Sequence, residues 1–303
     1  MTSDIIAEIN ALKEELNCTL LVHNYQPPEI QKLADFIGDS LYLAQAAAKI
    51  NADYIFFCGV IFMAETAAIL NPETLVIVPT LAARCPMAAQ LSSTELAKWQ
   101  EKYPDATTVV YVNTLAETKA LADVCVTSAN AARIIAKLDA QQILFGPDHN
   151  LAWHASQQTD KEIIPLPDRG YCYVHRMFSV KDIQTQKERF PNAKVLVHPE
   201  CEPSVQQLAD AVLSTGGMMK YPETSDAKAF IIATEVGLVD RLRRDFPNKS
   251  FIPARNSAIC IQQKRNTLYN LYNSLRTLHP TIEVEKDIAN RARSSIEAML
   301  ALS

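Results

Sequence analysis

Glycine is scarce in this chain, with 7 in 303 residues. There is no G-x-G-x-x-G stretch and no Walker loop, which argues against a dinucleotide or P-loop nucleotide site of the usual kind. There is no C-x-x-C pair, so finger or ribbon zinc spacing is missing. No apolar run approaches the ~20 residues that span a bilayer. Met1 to Asn17 forms an amphipathic helical pattern with acids throughout, without the basic start and apolar centre of a secretory signal. The net charge is -5, with no basic run or stripe. Neither nucleic acid nor a membrane is therefore expected as a partner. The cysteines number seven, an odd and scattered set. With no export signal, they point to a reducing, cytoplasmic setting and away from a disulfide framework.

What the chain does have is a repeat. Leu33-Ala34-Asp35, Leu121-Ala122-Asp123 and Leu208-Ala209-Asp210 are identical triplets, 88 and 87 residues apart. Cys85, Cys172 and Cys260 keep nearly the same period, 87 and 88. Each of these cysteines follows a short apolar run ending in proline: Pro79, Pro165 and Pro253. Self-similarity at one spacing marks a tripled structural unit. The predicted units are 1–88, 89–176 and 177–264, with the helical segment 265–303 packing back on the first. A length of 303 residues also exceeds what one core usually serves.

Within each unit, four short apolar runs alternate with helical patterns. Continuous apolar runs of this kind read as parallel strands buried on both faces. The expected fold class is α/β: three homologous three-layer α/β/α domains with short parallel sheets, in a pseudo-threefold arrangement around a central cavity. Twelve residues before each repeated aspartate stand His23, Tyr111 and His198; ten before stand Tyr25, Asn113 and Glu200; five after stand Ser40, Ser128 and Thr215, with Ser214 beside the last. All fall just past a strand's C-terminal end, the edge where parallel α/β sheets bind ligands.

The residue types suggest chemistry. Soft thiolates on three loops select zinc or iron–sulfur. Zinc usually adds a ligand at short range. None lies within a few residues except His175, three after Cys172. A 4Fe–4S cluster held by three cysteines leaves one iron open as a Lewis acid. Ser40, Ser128 and the Ser214-Thr215 turn are expected to open helices and cradle anions. His198 and Glu200 lie on one side of an extended chain. Glu200, partly desolvated, is expected to have a raised pKa suited to a base. Tyr25 and Tyr111 can pass protons or steady an oxyanion. Glu65 is balanced between helix cap and site, and Cys201 falls outside the triple.

The stretches His23-Asn24-Tyr25-Gln26, Gly38-Asp39-Ser40, Met63-Ala64-Glu65, Cys85-Pro86-Met87-Ala88, Tyr111-Val112-Asn113, Thr127-Ser128-Ala129-Asn130, Phe145-Gly146-Pro147-Asp148, Val174-His175, His198-Pro199-Glu200-Cys201, Ser214-Thr215-Gly216 and Asn266-Thr267-Leu268 together resemble the quinolinate synthase family over essentially the whole chain. The resemblance implies condensation of iminoaspartate with dihydroxyacetone phosphate to quinolinate, with loss of phosphate and two waters, for NAD synthesis. It implies a 4Fe–4S cluster on Cys85, Cys172 and Cys260, and L-aspartate oxidase as a possible partner. His23, Ser40, Ser128, Ser214 and Thr215 would hold carboxylates or phosphate. Tyr25, Tyr111, Asn113, His198 and Glu200 would serve isomerisation and proton transfer. Some longer members carry C-x-x-C-x-x-C at the last cysteine; here Cys260 is followed by Ile261-Gln262-Gln263, so a disulfide switch is not expected there. Two rivals stand beside this reading. One is another three-cysteine enzyme, of the diphthamide-synthase or isoprenoid-diphosphate-reductase kind, whose S-adenosylmethionine site or electron-donor face is not legible. The other is a metal-free tripled binding protein.

Overall fold

The computed structural model describes residues 2–303. The first unit runs α1 (Thr2–Glu15), β1 (Cys18–His23), α2 (Pro28–Gln31), β2 (Phe36–Gly38), α3 (Ser40–Ala47), β3 (Tyr54–Cys58), α4 (Ile61–Leu70) and β4 (Leu75–Ile77). The second repeats it as α5 (Ser93–Lys102), β5 (Thr107–Tyr111), α6 (Ala116–Lys119), β6 (Val124–Val126), α7 (Ala131–Lys137), β7 (Gln142–Gly146), α8 (His149–Ser156) and β8 (Glu162–Pro165). The third follows as α9 (Val180–Arg189), β9 (Lys194–Val197), α10 (Pro203–Gln206), β10 (Ala211–Val212), α11 (Thr215–Thr224), β11 (Ala229–Ala233), α12 (Val236–Asp245) and β12 (Ser250–Pro253). α13 (Leu268–Thr277) and α14 (Lys286–Leu302) complete the chain.

The three sheets share one topology: β2-β1-β3-β4, β6-β5-β7-β8 and β10-β9-β11-β12. Every pairing within them is parallel. Each sheet is covered on both faces, and the alternation of side chains shows it. Leu20, Val22 and Phe56 pack with Ile9 of α1 and Leu271 of α13, whereas Leu21, Ile55 and Phe57 pack with Leu43 of α3 and Phe62 of α4. In the third sheet Val195 and Ile231 face one cluster, Leu196 and Phe230 the other. Period-two alternation into two apolar layers is the geometry of a strand buried on both sides.

The repeated Leu-Ala-Asp triplet has a structural role. Each aspartate pins its unit's second strand to its first. The Asp35 carboxylate accepts from Leu20 N at 2.7 Å, Asp123 from Thr108 N at 2.7 Å and Asp210 from Val195 N at 2.8 Å. The units meet cyclically: α2 packs on α12, α6 on α4 and α10 on α8. The C-terminal segment departs from the expected packing. α13 lies against α1 of the first unit, but α14 crosses to β6 and α6 of the second and also touches α4. The apolar face of α14, with Ala292, Ile296 and Met299 fully buried, covers a layer the second unit would otherwise expose. Among the described residues, no helix is long and apolar enough to cross a membrane.

Candidate active site

The first strand of each unit ends in a tight loop, and two of these loops are built alike. Tyr25 N lies 3.2 Å from His23 Nδ1, and Glu200 N lies 3.3 Å from His198 Nδ1. Each backbone amide donates to the ring, so the proton of the neutral imidazole sits on Nε2, free to donate outward. The cysteine loops are placed by a second repeated bond. Ile61 N donates to Ala83 O, His149 N to Gly170 O and Val236 N to Ala258 O. Each acceptor stands two residues before a cysteine, and each donor is the first residue of a helix whose initial amides have no partner within the helix. Glu235 adds a further tie in the third unit, accepting from Cys260 N at 3.1 Å.

These loops enclose a chamber of about 70 Å³. Cys85, Cys172 and Cys260 all line it, one from each unit, as do His23, Tyr25, Tyr111, Asn113, His198 and Glu200. Of the four hydroxyls expected from sequence, Ser40, Ser128 and Thr215 reach it; these are the three equivalent positions. Ser214 does not. Its hydroxyl accepts from Gly217 N at 3.1 Å and donates to Asp39 Oδ2 at 3.1 Å, facing an outer cleft of about 990 Å³.

The helix-capping expectation holds in one unit and shifts in the other two. Asp39, not Ser40, caps α3, and Asn130 rather than Ser128 precedes α7; only Ser214 is a cap as expected. Asp39 bridges two helix starts: Oδ1 accepts from Tyr42 N at 2.9 Å, and Oδ2 accepts from Gly216 N of α11 at 3.2 Å. A Cβ on Gly216 would lie 2.4 Å from that oxygen, so the close approach needs glycine. The wall is also less polar than expected. Val60, Phe62, Met63 and Met87 of the first unit line it, because α4 begins with an apolar residue where the other units place Asp148 and Glu235.

At the centre runs a hydrogen-bonded chain. Tyr111 donates to Glu200 Oε1 at 2.5 Å. His175 Nδ1 lies 2.6 Å from Glu200 Oε2, and His175 Nε2 lies 2.8 Å from Thr234 Oγ1. Tyr25 Oη lies 2.6 Å from the same threonine oxygen. Five side chains from three units are thus joined. The His198 ring stacks on His175, with centroids 4.3 Å apart. Burial pushes the carboxyl pKa of Glu200 up, but the two histidines and the hydrogen bonds from His175 and Tyr111 outweigh burial and hold it below the usual carboxylate range. The expected rise is thereby reversed. Burial, with Glu200 nearby, drives Tyr25 and Tyr111 well above the ordinary phenol range. Burial keeps His23 and His198 neutral, lowering each to about 3. The Asn113 side-chain oxygen is buried with no partner, an acceptor left for a ligand.

Sequence reasoning missed the structural place of His175 and Thr234. His175 opens a one-turn 3₁₀ helix, with equivalents starting at Met87 and Gln263. Those three starts are 88 residues apart, so the repeat held the signal. Glu65 resolves as a cap: it accepts from Ala116 N at 3.2 Å and does not line the chamber. Cys201 is buried beside Ala233 O, outside the triple.

A metal could be held here. Among the described residues, the group tight enough for one ion is Cys172, His175 and Glu200, with ligand atoms all within 4.8 Å. Cys85, Cys172 and Cys260 do not form such a group: their sulfurs are not all within 4.8 Å of one another. Burial lifts all three thiols, Cys85 to about 12, so a bound cation is what would make them thiolates.

Fold and chamber together define a class: a tripled parallel α/β enzyme that gathers one cysteine per unit beside a buried acid–base chain. A sequence model of the family described as Quinolinate synthetase A protein matches residues 7–301. The chain is similar to proteins named quinolinate synthase from several organisms. That of Thermococcus onnurineus is 52% identical over 300 residues, 99% of each chain. That of Methanocaldococcus jannaschii is 49% identical over 307 residues, all of each chain, and that of Thermotoga maritima 43% over 298 residues, 98% of this chain and 99% of its own. The chain belongs to this family.

Proposed function

We propose that the protein condenses iminoaspartate with dihydroxyacetone phosphate to form quinolinate, releasing phosphate and two waters, in NAD biosynthesis in the cytoplasm. Three thiols from three units on one small chamber carry the reading. A 4Fe–4S cluster fits this donor set: soft ligands, sulfurs not all within 4.8 Å of one another and, among the described residues, no fourth cysteine on the chamber. Cys85, Cys172 and Cys260 would hold it. When bound, it supplies an iron without a cysteine ligand, a Lewis acid for a substrate oxygen.

The chain's own groups do the rest. Ser40, Ser128 and Thr215 offer hydroxyls to carboxylate and phosphate oxygens, and His23 and His198 offer Nε2–H donors. Asn113 accepts from a substrate N–H or O–H. Glu200 would be the base: His175 and Tyr111 hold its pKa down and so weaken it, but they keep it ionised in a buried place and are hydrogen-bonded to it for the onward movement of a proton it gains. Such groups work without reorganising because water is excluded and their partners are fixed. Iminoaspartate, a labile imine, would come from an aspartate-oxidising enzyme.

The test is anaerobic assay of quinolinate formation by iron- and sulfide-reconstituted protein, with each of the three cysteines changed to alanine in turn. About four irons per unaltered chain are expected, and loss of activity in every variant. A colourless unaltered protein, or an active cysteine variant, would overturn the proposal.

A further inference from the structure

The reactive side chains of each unit ride on a four-residue segment where its first strand ends: residues 23–26, 111–114 and 198–201. Five residues beyond each loop stands a buried polar side chain, Gln31, Lys119 and Gln206 in turn, at the end of α2, α6 and α10. Gln206 Nε2 donates to Pro199 O and Cys201 O, both at 2.8 Å, and lies 3.5 Å from Asn150 O in α8 of the second unit. Gln31 Nε2 donates to Asn24 O and Gln26 O, both at 2.9 Å, and to Gly237 O in α12 of the third unit at 3.1 Å. The Lys119 ammonium donates to Thr114 O and sits 5.4 Å from the Phe62 ring centre in α4 of the first unit. The acceptors correspond: Asn24 with Pro199, and Gln26 with Thr114 and Cys201. The residues met across the joints also correspond: Phe62, Asn150 and Gly237.

We propose that Gln31, Lys119 and Gln206 are positioning residues, one per unit, that set the reactive side chains by tying each loop to itself and to the next unit around the axis. The inference rests on the proposed function only in taking those side chains to act on substrate. In the first and third units a single nitrogen is held between two or three carbonyls, and in the second the Lys119 ammonium holds one; among the described residues, the loop oxygens they hold accept from no backbone amide. Leaving those carbonyls unsatisfied is costly, so the loop would move to find water. Pro199 O lies between His198 and Glu200, so any such move displaces both. A displacement of ~1 Å at a reacting group costs about 100-fold in rate. That one position holds glutamine twice and lysine once shows the shared requirement is a donor. The lysine stands where its neighbour across the joint is an aromatic face and Glu65 is close by.

The test compares Gln206→Leu, which removes the donor, with Lys119→Gln, which gives the second unit the donor used by the other two. Three quantities are read on reconstituted protein: kcat and KM separately, iron content, and backbone-amide hydrogen exchange. For Gln206→Leu, exchange at the amides of His198, Glu200 and Cys201 should quicken and kcat fall by at least about tenfold, with iron content unchanged and KM within about threefold. Lys119→Gln should keep kcat within about threefold and slow exchange at 111–114. If Gln206→Leu does not fold, Gln206→Lys takes its place and should hold the loop as slowly as the unaltered protein. Unchanged exchange or unchanged kcat in Gln206→Leu, or fast loop exchange in either donor-keeping variant, overturns the assignment. The exchange measurement does not depend on the reaction. A protein that formed no quinolinate would sink the proposed function and leave the positioning role to be decided by the loops.

Discussion

At the outer edge of each sheet, the repeat has kept one residue and one job. Asp35, Asp123 and Asp210 are identical, and each accepts from the backbone amide fifteen residues before it. At the centre, twelve and ten residues back along the same chain, the repeat has kept the place and changed the residue: His23, Tyr111 and His198, then Tyr25, Asn113 and Glu200. The edge is solved three times in the same way because the demand there is symmetric. The three cysteines apart, the chamber faces a single ligand space, and three copies of one acid–base residue in it would crowd like charges or leave no donor–acceptor complement. Symmetric scaffolding thus delivers an asymmetric set, so substitutions should be graded by which of the two regions they touch.

The largest effect is expected from Glu200→Gln. The amide keeps the shape and can accept from Tyr111, but it cannot take a proton and does not attract His175. Loss of a general base costs about 10²–10⁴ in rate. Steady-state quinolinate assay should show that loss in kcat, with thermal midpoint and iron content near those of the unaltered protein. A Glu200→Gln enzyme within fivefold of normal would move the base elsewhere in the Tyr111–His175–Thr234–Tyr25 chain.

The edge was more legible from sequence than the chamber. All twelve strands lie where apolar runs put them, because a strand buried on both faces has no other composition available. The chamber residues were found by register alone, and their electrostatics were not. Glu200 was expected to titrate high from burial; His175 reverses this, and it comes from another unit, 25 residues back in sequence. Ser40 was expected to cap α3, since serine suits that role as well as aspartate does. Which of Asp39 and Ser40 caps depends on Ser214 and Gly216 waiting across the joint for the same carboxylate.

Asp39 lines the chamber and yet does structural work, and it sharpens the contrast between the two regions. Its equivalents are Thr127 and Ser214, so the position has diverged like the rest of the chamber, yet like the edge aspartates it accepts from backbone amides. Asp39→Ala removes acceptors from the starts of α3 and α11 at once. About 1–3 kcal/mol of stability should be lost, from two caps and one buried hydroxyl partner. Thermal denaturation should show a midpoint a few degrees lower. Asp39→Asn, which keeps one acceptor oxygen, should recover part of this. If Asp39→Ala melts like the unaltered protein, the bridge between α3 and α11 contributes nothing.

The smallest effect is expected at the edge. The Asp210 carboxylate accepts from Val195 N at 2.8 Å and from Lys194 Nζ at 2.9 Å. Partial burial raises its pKa, but those two donors outweigh burial and hold it below the ordinary aspartate range. A carboxyl depressed in the folded state stabilises above its ordinary pKa of about 3.9, and that contribution is lost as pH falls through the lower, folded value. Asp210→Asn should therefore cost about 1 kcal/mol or less at neutral pH, because the site is largely exposed and the lysine pair is screened. The difference between variant and unaltered protein should shrink on acidification below about pH 4. Denaturant melts at pH 7 and pH 3 measure both arms. A gap that widened in acid would mean the carboxylate is not the group the second strand leans on, and Asp35 and Asp123 would then need the same scrutiny.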